Sequence, residues 1–118
     1  MRATYSVERI VQAHKADNLV VTSVGAGYVG AMTAITMAVK NPKVQFIVCD
    51  INQELVDKWN RLECPFFEPQ LEEYLRIAVN KTKNIEFTTK VSHAIAQAHL
   101  IIISVNTPPC SSKEESAD

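Results

Sequence analysis

The sequence has no excess of charge of either sign. Its 12 lysines and arginines are balanced by 13 aspartates and glutamates, which leaves a formal net charge of −1. Proteins that hold nucleic acid by its phosphates carry a clustered basic surface. No basic stripe is visible along this chain. We therefore expect no nucleic-acid partner.

Long apolar runs are also missing. No stretch reaches the roughly 18–20 consecutive apolar residues that a membrane-spanning helix requires. Residues 1–17 contain no apolar core of the kind found in secretory signals. We therefore expect a cytoplasmic protein with no membrane partner. The length of 118 residues corresponds to one domain.

Cysteine is scarce, and its spacing excludes two further classes of protein. The three cysteines form no C-x-x-C pair and are odd in number, which favours reduced cytoplasmic thiols over a disulfide framework. The three histidines do not stand at metal-ligand spacing with them. No metal site is expected.

Glycine is equally scarce, and its three occurrences fall together. Gly25, Gly27 and Gly30 form a G-x-G-x-x-G motif. An apolar, β-branched run at 19–24 precedes the motif, as in a buried parallel strand, and a helix-forming run follows it. A second apolar run then ends at Asp50, twenty residues after the last glycine. This context is typical of a dinucleotide-binding turn.

Each position of the motif has a physical role in such a turn. Gly25 permits the tight turn off the strand, and Gly27 has no Cβ to hold a pyrophosphate away from the backbone. Gly30 lets the helix approach the sheet, while the free N–H groups at the helix start attract the phosphates. Asp50 accepts hydrogen bonds from a ribose 2′-hydroxyl and repels the additional phosphate of NADP. The motif therefore predicts NAD as the cofactor.

Other interpretations of these residues stay open. The glycines can serve as a strand-to-helix turn without a ligand, and Asp50 as a helix cap or a solvated acid. A SAM-dependent methyltransferase also places a glycine-rich turn before an acid, although the complete motif argues against it. The side chains of Tyr28 and Val29 are expected to pack at the helix start, with their N–H groups near phosphate. Trp59 is expected to be a core anchor.

Hydrophobic periodicity predicts alternating strands and helices. Strands are expected at 19–24, 44–50, 85–88 and 100–105, and helices at 30–39, at 52–60 with Asn52 as N-cap, at 69–80 with Pro69 in its first turn, and at 92–98 with Ser92 as cap. Residues 1–18 are interpreted as an N-terminal extension that contains a short amphipathic helix. The order is β-α-β-α-α-β-α-β.

This alternation predicts an α/β fold with a parallel sheet and right-handed crossovers. On a doubly wound, Rossmann-like fold the strands take the spatial order 3-2-1-4, and the cofactor crevice lies between the first and fourth strands. Only the helix at 92–98 then covers one face of the sheet, and the apolar strand at 100–105 is an open edge. We therefore expect an incomplete dinucleotide-binding domain, with homo- or hetero-association through that edge.

Several segments together resemble one known family. They are Val-Gly-Ala-Gly-Tyr-Val-Gly at 24–30, Asp-Ile-Asn at 50–52, Trp-Asn at 59–60, Phe-Glu-Pro at 67–69 with Leu71, and Ser-Val-Asn-Thr-Pro at 104–108. In this order they resemble the N-terminal, NAD-binding part of the UDP-glucose/GDP-mannose dehydrogenase family, over residues 19–109. The segments at 59–60 and 103–108 are more similar to its animal-type members that act on UDP-glucose.

The resemblance implies an oxidoreductase that converts UDP-glucose to UDP-glucuronate. Such enzymes oxidise the sugar C6 alcohol to a carboxylate in two NAD-dependent steps, through a cysteine that forms a thiohemiacetal and a thioester, with a lysine and an aspartate assisting. Neither Cys49, Cys64 nor Cys110 matches the motif of that cysteine. No catalytic residue is therefore assigned, and this chain alone is expected to be inactive. The alternative is a non-catalytic module that binds NAD or associates with full-length subunits.

The resemblance also implies a cofactor site. Its expected residues are Gly25, Ala26, Gly27, Tyr28, Val29, Gly30, Asp50, Val105, Asn106, Thr107 and Pro108. The chain departs from the family pattern at Leu55, where a basic residue usually contacts the adenosine ribose, and at Gln70, where glycine is usual. After Pro108 it leaves the pattern, and residues 110–118 are expected to be a disordered acidic tail.

Overall fold

The computed structural model describes residues 2–66 and 68–105, with side chains from residue 7 onward. Its elements in chain order are α1 (Arg2–Lys15), β1 (Val20–Val24), α2 (Tyr28–Lys40), β2 (Gln45–Cys49), α3 (Gln53–Asn60), α4 (Pro69–Arg76), a π-helical turn (Ile77–Lys81), β3 (Ile85–Thr88), α5 (Val91–Gln97) and β4 (Leu100–Ile103). The predicted alternation is confirmed, and the helix expected near the N-terminus is α1. No helix in these described segments is long and apolar enough to cross a membrane.

The four described strands form one parallel sheet in the order β3-β2-β1-β4. The predicted spatial order 3-2-1-4 is therefore confirmed. Val21 lies beside Phe46 of β2 on one side and beside Leu100 of β4 on the other. Because all four strands run the same way, their carboxyl ends meet at one edge of the sheet, where a doubly wound fold binds its ligand.

The two faces of the sheet are covered unequally. Helices α2, α3 and α4 pack on one face, around the buried side chains of Ile35, Val48, Trp59 and Leu75. On the other face, α5 packs its Ala94 against a small cluster in β1 and β2. The prediction of uneven coverage is confirmed.

The outer strand β4 lies at one edge of the sheet formed by the described strands. Among the described strands it pairs with β1 alone. Ile102 packs toward the main core, whereas Leu100, Ile101 and Ile103 are exposed, with Ile103 at 70%. An apolar strand edge of this kind is a template for pairing with another chain.

Two of the predicted helix starts are confirmed. The Oδ1 atom of Asn52 accepts a hydrogen bond from Leu55 N at 3.0 Å, which makes Asn52 the N-cap of α3. Pro69 occupies the first turn of α4, where its missing N–H costs nothing. The carboxylate of Glu68 caps the same helix by accepting from Gln70 N.

The prediction that Ser92 caps α5 is wrong. The helix begins one residue earlier, at Val91, and its N-cap is Lys90, whose side chain makes no cap hydrogen bond. Ala94 N donates to Lys90 O and so closes the first helical turn there. Lys90 N donates to the hydroxyl of Thr88, which turns the chain off β3 before Ser92 is reached.

The helix predicted over 69–80 ends as an α-helix at Arg76 and continues as the π-helical turn. Thr82 N donates to Ile77 O, five residues back, at 2.9 Å. The Thr82 hydroxyl lies 3.4 Å from both Ile77 O and Ala78 O. The hydrogen bond from Thr82 N to Ile77 O spans one residue more than the bonds of an α-helix, so the last turn is wider.

Candidate functional site

The turn between β1 and α2 requires glycine at its first position. Gly25 has a φ of +120°, a conformation that residues with a Cβ rarely adopt. A Cβ at this position would lie 2.7 Å from Ser104 O, just past the end of β4. Gly25 N donates to Cys49 O at 2.8 Å, so the turn is fixed to β2 as well.

Gly30 allows the first turn of α2 to close over this loop. A Cβ on Gly30 would lie 2.5 Å from Gly25 O and 3.0 Å from the Ser104 Cβ. The first contact is shorter than real Cβ atoms show, and the second is tighter than most of their contacts. The third glycine of the motif is thus required by the packing of the loop, α2 and the end of β4.

Gly27 differs from the other two glycines, because a Cβ there would meet no described atom within 4 Å. It is the N-cap of α2 and makes no side-chain cap hydrogen bond. The first N–H groups of a helix have no partner within the helix, and they carry the positive end of its dipole. Backbone donors, open space and the absence of a side chain therefore coincide in front of α2, as an anionic group requires.

Asp50 follows β2 and joins two loops. Its Oδ2 atom accepts a hydrogen bond from Ala26 N at 2.8 Å, and its Oδ1 atom accepts from Asn52 N at 2.9 Å. Each carboxylate oxygen keeps a second lone pair for a ligand hydroxyl. The structure thus brings Asp50 to the glycine loop, and the cap of the next helix is Asn52 instead.

Trp59 lies beneath the loop and is fully buried, as expected of a core anchor. Its ring stacks on Phe87 with centroids 5.5 Å apart and planes at 10°, and Phe66 lies 6.2 Å away. The indole Nε1–H donates to Ala26 O at 2.9 Å across a sequence separation of 33 residues. This hydrogen bond was not predicted, because no local pattern relates residues so far apart.

Tyr28 and Val29 occupy the first turn of α2. The Tyr28 ring packs edge-on against Phe66, with centroids 5.3 Å apart. The Val29 side chain is 62% exposed, so the prediction that it packs at the helix start is wrong. On the first turn its position faces away from the sheet, toward solvent.

Of the residues expected after β4, the structure describes Val105. Its backbone N lies 3.3 Å from the point where a Gly25 Cβ would stand, and its side chain is 59% exposed. Val105 therefore lies beside the glycine loop. Asn106, Thr107 and Pro108 lie outside the described residues.

The cysteines in the described part of the chain differ in environment. Cys49 is fully buried at the end of β2, and burial, with the nearby Asp50 charge second, raises the pKa of its thiol. A thiol kept protonated in this way is a poor nucleophile. Cys64 is half-buried, and its thiol donates to Phe66 O. Within residues 2–66 and 68–105, no three His, Cys, Asp or Glu side chains are grouped to hold a metal.

Most of the chain matches a known protein family. The family model for the NAD binding domain of the UDP-glucose/GDP-mannose dehydrogenases matches residues 19–118. UDP-glucose 6-dehydrogenase 4 of Oryza sativa subsp. japonica is 39% identical over 85 residues, which are 72% of this chain and 17% of the relative. UDP-glucose 6-dehydrogenase of Caenorhabditis elegans is 42% identical over 88 residues, 75% of this chain and 18% of the relative.

Solved structures of sugar-nucleotide dehydrogenases share this architecture. A UDP-glucose dehydrogenase from Pyrobaculum islandicum superimposes with a TM-score of 0.70 at 27% identity, over 77% of this chain and 20% of that one. A GDP-mannose dehydrogenase from Pseudomonas aeruginosa gives 0.68 at 25% identity, over 81% and 23%. The chain thus spans about a fifth of the length of its relatives.

Proposed function

Because the chain belongs to the UDP-glucose/GDP-mannose dehydrogenase family, we propose that it binds NAD at the N-terminus of α2, with the pyrophosphate over Gly27. The open space at the Gly27 Cβ position is the observation that carries this proposal. A diphosphate placed there meets the first N–H groups of a 13-residue helix, and no atom of the described residues lies within 4 Å of the Gly27 Cβ position.

The proposed contacts divide into backbone and side-chain groups. Backbone N–H groups of the loop and the first helical turn hold the phosphates, and the carboxylate of Asp50 accepts from the adenosine ribose. The proposed site comprises Gly25, Ala26, Gly27, Tyr28, Val29, Gly30, Asp50, Val105, Asn106, Thr107 and Pro108. Asp50 also favours NAD over NADP, because a 2′-phosphate beside its charge is repelled.

Calorimetric titration of the purified chain with NAD and NADP, beside an Asp50→Ala variant, tests this assignment. We expect saturable NAD binding, weaker NADP binding and at least tenfold weaker NAD binding in the variant, since it loses charged hydrogen bonds. The preference for NAD over NADP should also shrink in the variant. That change reports the charge of Asp50 at the ribose and not merely a disturbed loop.

Glu73→Ala is the matched control, because it removes the same charge from an exposed position on α4. It should leave both affinities unchanged. A folded wild-type chain that gives no binding heat with NAD would refute the proposal. Equal NAD affinity in wild type and Asp50→Ala would refute the role of Asp50.

We further propose that the parent activity is oxidation of UDP-glucose to UDP-glucuronate, with NAD as oxidant, and that this chain supplies only the cofactor-binding part. Its relatives named UDP-glucose 6-dehydrogenase support the substrate. The protonated Cys49 and half-buried Cys64 offer no activated nucleophile. Incubation with NAD and UDP-glucose should give no NADH absorbance. Turnover by the purified chain would overturn this.

The alternative function is a non-catalytic module that associates through β4. Its exposed Leu100, Ile101 and Ile103 support association with a second copy or with full-length subunits. Sedimentation of the chain, alone and with a full-length relative, should show complexes that Ile101→Lys weakens. Val7→Lys, at an exposed apolar position on α1, is the control. Monomers under both conditions would refute it.

The free thiols of Cys49 and Cys64 suit the reducing cytoplasm, where we propose the chain resides.

A further inference from the structure

The peptide group between Ala26 and Gly27 is held by a buried side chain. Its carbonyl, Ala26 O, accepts from the Trp59 Nε1–H at 2.9 Å. In a trans peptide the C=O and the N–H point in opposite directions. With the carbonyl directed at the indole beneath the loop, the Gly27 N–H is directed away from it, toward the opposite side of the loop.

The same peptide is unusually free to rotate when it is not held. Rotation of a peptide plane changes ψ of the preceding residue and φ of the following one. The following residue is Gly27, whose φ of −73° could become positive at little steric cost. The reversed plane would direct a carbonyl oxygen to the side that the Gly27 N–H now faces, and it would repel an anion.

Two other observations show that the groups on either side of this peptide are fixed. Trp59 is fully buried and stacked on Phe87, so its indole cannot follow a rotating carbonyl. On the other side of Ala26, the preceding peptide is fixed by the bond from Ala26 N to Asp50 Oδ2 at 2.8 Å. The Ala26–Gly27 peptide therefore depends on the Trp59 hydrogen bond for its orientation.

From this geometry we propose that Trp59 is a positioning residue for the pyrophosphate, acting through the orientation of the Gly27 N–H. The role in cofactor binding rests on the proposed function, since it assumes a diphosphate over Gly27. The orientation itself does not rest on it, and can be measured in the ligand-free chain. Trp59 touches the loop and does not touch the cofactor.

Trp59→Phe tests the orientation first, without ligand. Phenylalanine keeps an aromatic ring against Phe87 but has no N–H to donate. In ¹⁵N-labelled chain we expect the Gly27 amide resonance to shift and broaden, because the peptide plane is no longer held in one orientation. An unchanged Gly27 amide in a folded variant would overturn the proposal, whatever the chain binds.

Ligand affinities then separate positioning from general weakening of the fold. Trp59→Phe should bind NAD and ADP-ribose roughly tenfold more weakly, the loss expected for about one hydrogen bond. Adenosine has no pyrophosphate, so its affinity should not change. Equal losses for adenosine and NAD, or no loss for NAD, would overturn the positioning role.

Leu75→Val is the control for stability, because Leu75 is fully buried in α4 and lies outside the loop. It should lower the unfolding temperature and leave the Gly27 amide and the NAD affinity as in wild type. A wild-type chain that binds neither NAD nor ADP-ribose would refute the proposed function. The Gly27 amide would still decide whether Trp59 sets the peptide orientation.

Discussion

At the scale of single residues, the three glycines of one motif have separable roles. The space around Gly30 is filled by Gly25 O and Ser104, whereas the space in front of Gly27 is open. Folding therefore depends on Gly30, and the proposed ligand depends on Gly27. A consensus pattern alone treats the two positions alike.

Alanine substitution should separate these roles. Gly30→Ala is expected to lower the unfolding free energy by about 2–3 kcal/mol, as overpacking does in cores. Gly27→Ala is expected to cost about 1 kcal/mol or less, the scale of an N-cap change, and to abolish NAD binding. Urea unfolding followed by circular dichroism, with NAD titration of each folded variant, measures both. Equal destabilisation of the two variants would contradict this separation.

The Cys49 thiol gives a prediction for alkaline pH. Burial and Asp50 raise its pKa in the folded chain above the unfolded value of 9.0. Below that value the thiol is protonated in both the folded and the unfolded state, so its contribution to the unfolding free energy is fully present. As pH rises through the folded pKa, the unfolded state loses the proton first and stability falls.

Urea unfolding of wild type and Cys49→Ala between neutral pH and alkaline pH measures this contribution. The unfolding free energy of wild type should fall more steeply above pH 9 than that of the variant. Lysines and tyrosines titrate in both chains, so the difference between the two curves isolates Cys49. Parallel curves would show that Cys49 makes no such contribution.

At the scale of elements, Asn84 joins the ends of three of them. It is almost fully buried before β3, and its Nδ2 donates to Ala38 O at 2.9 Å, Asn41 O at 3.0 Å and Val44 O at 2.8 Å. The backbone carbonyl oxygen of Asn84 accepts a hydrogen bond from Phe46 N at 2.8 Å. The end of α2 and the starts of β2 and β3 are thereby held together, opposite the proposed cofactor edge.

We expect Asn84→Ala to lower the unfolding free energy by about 2–3 kcal/mol, because it removes a buried amide that donates to three backbone carbonyls. The exposed Asn80→Ala serves as the control and should stay within about 0.5 kcal/mol of wild type. Chemical denaturation measures both. NAD affinity of the folded Asn84→Ala chain should equal that of wild type, since the side chain lies at the other end of the sheet.

Much of the fold follows from local patterns. Strand order and the uneven covering of the sheet could be predicted, because apolar β-branched runs alternate with helical periodicity. The starts of α2 and α5 could not, since each depends on which backbone N–H first finds a carbonyl. The π-helical turn depends on the backbone hydrogen bond from Thr82 N to Ile77 O, which hydrophobic periodicity does not record.

For the candidate site, as for the fold, local patterns predict the segments involved but not the hydrogen bonds between them. The glycine motif and Asp50 identify the loop and the acid, yet the hydrogen bonds that Asp50 accepts from Ala26 N and Asn52 N are seen only in three dimensions. The Trp59 anchor joins residues 33 positions apart and leaves no local pattern. The assignments of residues 106–108, the domain boundary at 109 and the acidic tail stay predictions.

At the scale of the whole molecule, a ligand that binds only the folded state should stabilise the entire sheet. At ~100 times its dissociation constant, NAD should raise the unfolding free energy by about 2.7 kcal/mol. Thermal unfolding with NAD, NADP and no ligand measures this effect. NAD should raise the midpoint more than NADP at equal concentration, and equal shifts would contradict the ribose role of Asp50.

The chain has a single tryptophan, and it is the one whose indole contacts the glycine loop. Every photon of indole emission therefore originates beneath the proposed nucleotide. Reduced nicotinamide absorbs in the region where indoles emit, so bound NADH should accept that energy and fluoresce in turn. The molecule thereby contains its own donor for a label-free optical assay, and occupancy of the loop can be followed in real time on unmodified protein.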